Sequence, residues 1–130
     1  MPRLIFVNLP VADLQASVAF YTALGFTTNP DFSDDTAACV VVDENIFVML
    51  LTEPKFKGFI TGDIAQRDTT EVLTCISASS RAEVDRMLAA ALAAGGSPWL
   101  PSVDADGMYY STFADPDGHV WEVMAMEGMG

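Results

Sequence analysis

The stretch Asn8–Phe26, NLPVADLQASVAFYTALGF, fixes the reading of the first half of the chain. Residues Leu4–Leu9, rich in strand-forming residues, read as a strand ending at Pro10. Asp13 then offers a side-chain acceptor for the first turn of a helix, and Leu14, Val18, Tyr21 and Leu24 recur at helical spacing. Gly25 follows as a helix stop.

Beyond Gly25, the segments Phe26–Phe32, Ala37–Val42 and Ile46–Leu51 are predicted strands, the last two joined through Asp43-Glu44-Asn45 as a hairpin. The same order then returns. Glu71–Ser77 reads as a strand. Ser80 and Glu83 form a capping box for a helix with an apolar stripe of Val84, Met87, Leu88, Ala91 and Leu92, stopped at Gly95-Gly96. Pro98–Pro101, Met108–Phe113 and His119–Met126 supply three more strands, the last two separated by the turn Asp115-Pro116-Asp117-Gly118. The repeat predicts an α+β fold of two tandem βαβββ modules. These would form a curved, mostly antiparallel eight-stranded sheet with helices on its convex face and a small-molecule cup on the other. The expected organisation is one domain over 1–130, with module one at 1–53, a connector at 54–69 and module two at 70–130. The connector is marked by Pro54, Gly58, Gly62 and half of the basic residues (Lys55, Lys57, Arg67).

Composition bounds the function. The chain has 130 residues, 51% of them hydrophobic, and a net charge of −12; no Lys or Arg follows Arg86. Such a balance opposes nucleic acid and anionic membrane as partners, because both require cations. The apolar runs are shorter than the ~18 residues of a membrane span, and no secretory leader is read at the start. Cys39 and Cys75 fall in strand-like runs and read as buried free thiols, so a cytoplasmic location is expected.

Two segments resemble a known family. Asn8–Phe26 is similar to the opening of the glyoxalase/bleomycin resistance/extradiol dioxygenase (vicinal oxygen chelate) superfamily, with its Asp-capped helix, Phe-Tyr and Leu-Gly-Phe. Phe113–Val123, FADPDGHVWEV, resembles the closing hairpin and last strand of that family. The resemblance implies the repeated fold, a homodimer as the expected assembly, and in catalytic members a divalent ion held by side chains from four strands. Carried over to this chain, the ligand positions fall at Phe6, at Met49, at Val72 or Leu73, and at Glu122. A one-residue register error would bring in only Glu71 or Thr70. Only Glu122 among the four is a ready donor, so no cofactor is expected; a divalent metal at Glu122 is the less favoured reading. His119 does not help, because its offset from Glu122 is odd and a regular strand turns the two to opposite faces.

Strand parity then suggests a ligand-binding lining of Phe6, Asn8, Phe47, Met49, Val72, Tyr110, Glu122 and Met124, with Trp121 and Val123 turned towards the helices. One of Tyr109 and Tyr110 must face inward. An apolar cup requires a carboxylate to be paired, hydrogen-bonded or protonated, which singles out Glu122. Asn8 can equally bond neighbouring backbone, and the Met and Phe stripes can equally be core. Three functions stay open. The first is a binding protein for a small organic ligand, cations included, without a catalytic metal. The second is a metal-independent enzyme with Glu122 as catalytic acid or base and Asn8 or a tyrosine placing a carbonyl. The third is a metal-dependent lyase or dioxygenase of the glyoxalase type.

Overall fold

A computed structural model describes residues 2–126. The chain forms two compact units that divide between Gln66 and Arg67.

The first unit runs β1 (Ile5–Val11), α1 (Leu14–Ala23), β2 (Thr27–Asn29), a 3-10 turn at Pro30–Phe32, β3 (Ala37–Asp43), β4 (Ile46–Thr52) and α2 (Glu53–Lys57). Its sheet has the order β1-β4-β3-β2. β1 lies parallel to β4, and the other pairs are antiparallel. Pro10 does not end β1, which continues to Val11; a proline is tolerated there because β1 is an edge strand. The predicted strand Phe26–Phe32 is cut short where Pro30 starts the 3-10 turn, capped by the Asn29 side chain, which accepts from Asp31 N at 3.0 Å.

Helix α1 begins as its sequence requires, with the Asp13 carboxylate accepting from Ala16 N at 3.1 Å. Its buried face is Ser17, Phe20 and Tyr21, followed by Leu24, one residue out of step with the expected Leu14 and Val18. Against β3 and β4 it covers the face that carries Val40, Val48 and Leu50. Phe20 and Tyr21 meet edge to face at 5.0 Å. The stripe therefore contains a serine, and the Ser17 hydroxyl is buried without a hydrogen-bond partner.

The second unit runs β5 (Thr74–Ser77), α3 (Arg81–Ala93), β6 (Ser97–Pro98), β7 (Val103–Ala105), β8 (Met108–Ala114) and β9 (Val120–Met126). Its sheet has the order β5-β9-β8-β6, with β7 also on β8. β5 is parallel to β9, repeating the β1–β4 relation, and the rest is antiparallel. Ser80 Oγ accepts from Glu83 N at 3.1 Å, and Glu83 Oε1 accepts from Ser79 N at 2.9 Å, completing the predicted cap. Val84, Met87 and Ala91 are buried on α3 and Trp121, Phe113 and Val123 on the sheet; Leu92, expected in the stripe, is exposed.

Of the strand predicted at Pro98–Pro101 only Pro98 lies on a strand, at the end of β6, and the next strand, β7, begins beyond it at Val103. Pro98 and Pro101 have no N–H to give a ladder. Across the gap the Thr112 side chain replaces the missing pairing: its Oγ1 accepts from Leu100 N at 2.9 Å and donates to Leu100 O at 3.2 Å. The last turn is built by Asp115, whose Oδ1 accepts from Asp117 N and His119 N at 2.9 and 2.8 Å. Arg67 closes over it, donating to Pro116 O at 2.7 Å and approaching Asp117 at 3.4 Å.

Two stability predictions follow from these contacts. Ser17→Ala removes an unpaired buried hydroxyl and improves helix propensity, so it raises unfolding free energy by up to about 1 kcal/mol in a denaturant titration. Gly118 has φ +89°, and a Cβ there would sit 3.1 Å from Arg67 O. Gly118→Ala should therefore cost roughly 1–3 kcal/mol in the same measurement.

Candidate functional site

In each unit the helix covers one sheet face and leaves the other for function. Which residues occupy the open face follows from the strand register.

In the first unit Phe6 stands beside Phe47 and Asn8 beside Met49. All four share the face opposite Val7, Val48 and Leu50, as side-chain parity predicts. Phe6 and Phe47 stack with ring centroids 5.0 Å apart and planes 15° apart, and Phe6 keeps 50% of its surface exposed. Asn8 is spent locally, its Nδ2 donating to Phe6 O at 3.2 Å. This part of the expected lining is an aromatic stack with Met49 beside it, and its one amide is turned to its own strand.

In the second unit Glu122 lies between Cys75 and Thr112, and Met124 between Ser77 and Tyr110. Glu122, Met124 and Tyr110 are each half-buried. Among the described residues no cation pairs with Glu122. Tyr110 is the tyrosine on this face. Tyr109 takes the other, where its hydroxyl donates to Asp85 Oδ1 of α3 and Arg81 lies 5.0 Å over its ring. Arg81 also holds Asp104 with two bonds of 2.6 and 2.8 Å. That hydrogen-bonded guanidinium keeps the Asp104 carboxyl below its usual range, and the bond to Asp85 pushes the Tyr109 phenol up.

Val72 is a correction. Instead of lying on a strand it is 64% exposed, ahead of the first residue of β5. The parallel register would carry it to His119, before β9 begins, so no neighbouring strand is there to order it. Leu73, the alternative position, is also exposed and outside the strand.

Cys75 is the residue that the sequence reading missed. Cys39 is buried as expected, but Cys75 is a free, exposed thiol directly beside Glu122. Although the residue as a whole is exposed, desolvation of its sulfur and then the Glu122 carboxylate push the thiol up to about 11. Its signal in the sequence was parity: in Glu71–Ser77, Cys75 shares a face with Glu71 and Ser77 and opposes Ile76. The parallel match to β9 was needed to show which face that was.

The expected metal positions hold two apolar side chains with no donor beyond a thioether (Phe6, Met49), an exposed Val72 or Leu73, and Glu122. Among the described residues no group of three or more His, Cys, Asp or Glu side chains is arranged to hold a metal ion. No described helix is long and apolar enough to cross a membrane.

One consequence of the raised thiol is readable in solution. Between pH 9 and 11 an unfolded chain has released the Cys75 proton that the folded chain retains, so raising the pH favours unfolding. Stability should fall through that window and fall less steeply in Cys75→Ser, as measured by urea titrations at successive pH values.

The fold is shared with known proteins. Residues 3–43 match the family described as bleomycin resistance protein-like N-terminal. No curated protein gives a significant match. Among solved structures, the chain is similar to a hypothetical protein from S. aureus at 26% identity and TM-score 0.82, covering 96% of this chain and 94% of that one. It is also similar to a glyoxalase/bleomycin resistance protein/dioxygenase family enzyme from Burkholderia phytofirmans (17% identity, TM-score 0.80, 96% and 99% covered). A glyoxalase-related enzyme from Fulvimarina pelagi is alike to the same degree (20% identity, TM-score 0.80, 96% and 88% covered).

Proposed function

We propose that this chain, which matches the bleomycin resistance protein-like N-terminal family over residues 3–43 and shares the fold of glyoxalase/bleomycin resistance/dioxygenase proteins, is a member of that (vicinal oxygen chelate) superfamily that binds a small organic ligand without a catalytic metal. Glu122 is the polar anchor in this reading. The observation that carries it is a half-buried carboxylate in mid-strand, flanked by Met124 and Tyr110 on an open sheet face, with no cation beside it among the described residues. A structural carboxylate in such surroundings is normally neutralised by a fixed cation; this one is available to a mobile cation.

Cationic ligands are favoured. The net charge of −12 raises their local concentration, and Tyr110, on the same sheet face as Glu122, offers an aromatic face that attracts them. Leaving out a divalent ion is supported by the donor set, since one carboxylate cannot replace the several nitrogen and oxygen ligands such an ion needs. Two free cysteines suit a reducing compartment and support a cytoplasmic location, and the family resemblance supports a homodimer. A metal-independent reaction with Glu122 as acid or base uses the same carboxylate and is separated from binding by recovery of the ligand.

The test is a thermal-shift panel of neutral and cationic organics that includes benzyltrimethylammonium, followed by recovery of each binder. A binder should raise Tm and be recovered unchanged. Glu122→Gln should weaken cation binding by about tenfold or more, as removal of a charged partner does. No shift across the panel overturns the reading, and a chemically altered binder transfers it to the enzymatic one.

A further inference from the structure

We propose that Cys75 is the positioning residue of Glu122: its thiol donates to the carboxylate and holds it on the open face of the second sheet. The inference rests on Glu122 being the ligand anchor and names the group that orients it.

Three observations combine. First, the register fixes the neighbours. Glu122 sits in β9 with Cys75 beside it on β5 and Thr112 beside it on β8, all three on one face. Cross-strand neighbours of this kind stand close enough for side chains to interact.

Second, the chemistry of the two neighbours separates them. A carboxylate accepts hydrogen bonds only, so it needs a donor. Thr112 carries one hydroxyl proton, and that proton is committed to Leu100 O, while the oxygen accepts from Leu100 N. Thr112 is buried in this arrangement and has no proton left for Glu122. Cys75 is a free thiol with its proton retained.

Third, the thiol has a choice of acceptors and one of them is stronger. Sγ lies 3.9 Å from Ile76 O, at the outer edge of a sulfur hydrogen bond. The other acceptor is the Glu122 carboxylate, which already opposes ionisation of the thiol. A charged acceptor holds a proton more strongly than a neutral carbonyl at that distance.

The arrangement gives Glu122 one fixed donor and leaves its remaining lone pairs to a ligand. It also protects the thiol. Because desolvation of the sulfur, and then the neighbouring carboxylate, oppose formation of thiolate, Cys75 is a poor nucleophile despite its exposure. An exposed cysteine on a binding face is thereby kept from reacting with the electrophiles that reach it.

The test uses the whole protein and three readouts. The infrared S–H stretch of Cys75, identified by its loss in Cys75→Ser, should move to higher frequency in Glu122→Gln. Iodoacetamide at pH 8 should alkylate Cys75 roughly threefold faster in Glu122→Gln, because more thiolate forms. Benzyltrimethylammonium should bind Cys75→Ala about threefold to tenfold more weakly, while Cys75→Ser, which keeps a donor, retains near-normal affinity. An S–H band unmoved in Glu122→Gln overturns the pair. Equal affinity in Cys75→Ala and the unaltered protein overturns the positioning role. If benzyltrimethylammonium fails to bind the unaltered protein, the ligand reading has failed. The S–H band, recorded without ligand, then decides the pair by itself: a shift upholds it and no shift overturns it.

Discussion

The arrangement depends on one constraint, the parallel pairing of each unit's first strand with its last. β1 lies along β4 and β5 along β9. Two parallel strands cannot be joined by a tight turn, so the chain must cross over one face of the sheet between them. In both units a helix lies on that route, α1 and α3, and covers that face. The crossover helix does not cover the opposite face, which in the first unit holds the buried Ala37, Cys39 and Leu51 as well as the exposed Phe6. Everything assigned a role here, the Phe6–Phe47 stack and the Glu122 row alike, sits on a face that the crossover does not cover.

The same constraint explains how a carboxylate can stand in mid-strand. Glu122 and Trp121 are neighbours in sequence and opposites in environment. Trp121 is 1% exposed on the side of α3, whereas Glu122 is half-buried on the open side. One step along a strand exchanges the two environments, so the register of β9 must be held firmly. Asp115 and Arg67 hold its entrance: the carboxylate gathers the turn's N–H groups, and the guanidinium fastens Pro116 and Asp117 from outside. The turn is thus part of what keeps the carboxylate at an open surface and out of the core.

Much of this was legible in the chain itself. Asp13, Ser80 and Glu83 announced the starts of α1 and α3, because a capping side chain acts within one turn and needs no distant partner. The turn at Asp115–Gly118 and the faces of Trp121, Glu122 and Met124 were readable for a similar reason, since strand parity is a local property. The readings that failed depended on neighbours. Val72 and Leu73 have suitable strand composition, but no paired strand reaches them. Leu92 has the right spacing but is exposed. Pro98–Pro101 reads as a strand, yet only Pro98 joins one, because the two prolines lack N–H groups and Thr112 bonds Leu100 through its side chain.

By itself the sequence determined the α+β class, the doubled βαβββ order, the acidic surface and the presence of a single carboxylate in an apolar strand. These follow from periodicity, capping and charge, which act over a few residues or over the whole composition. Tertiary structure alone decided which tyrosine shares the face of Glu122, that Asn8 is spent on its own strand, and that Cys75 is exposed beside Glu122. The reason is that a side chain's partner across a sheet is set by register between distant segments, and register is a property of the paired strands together.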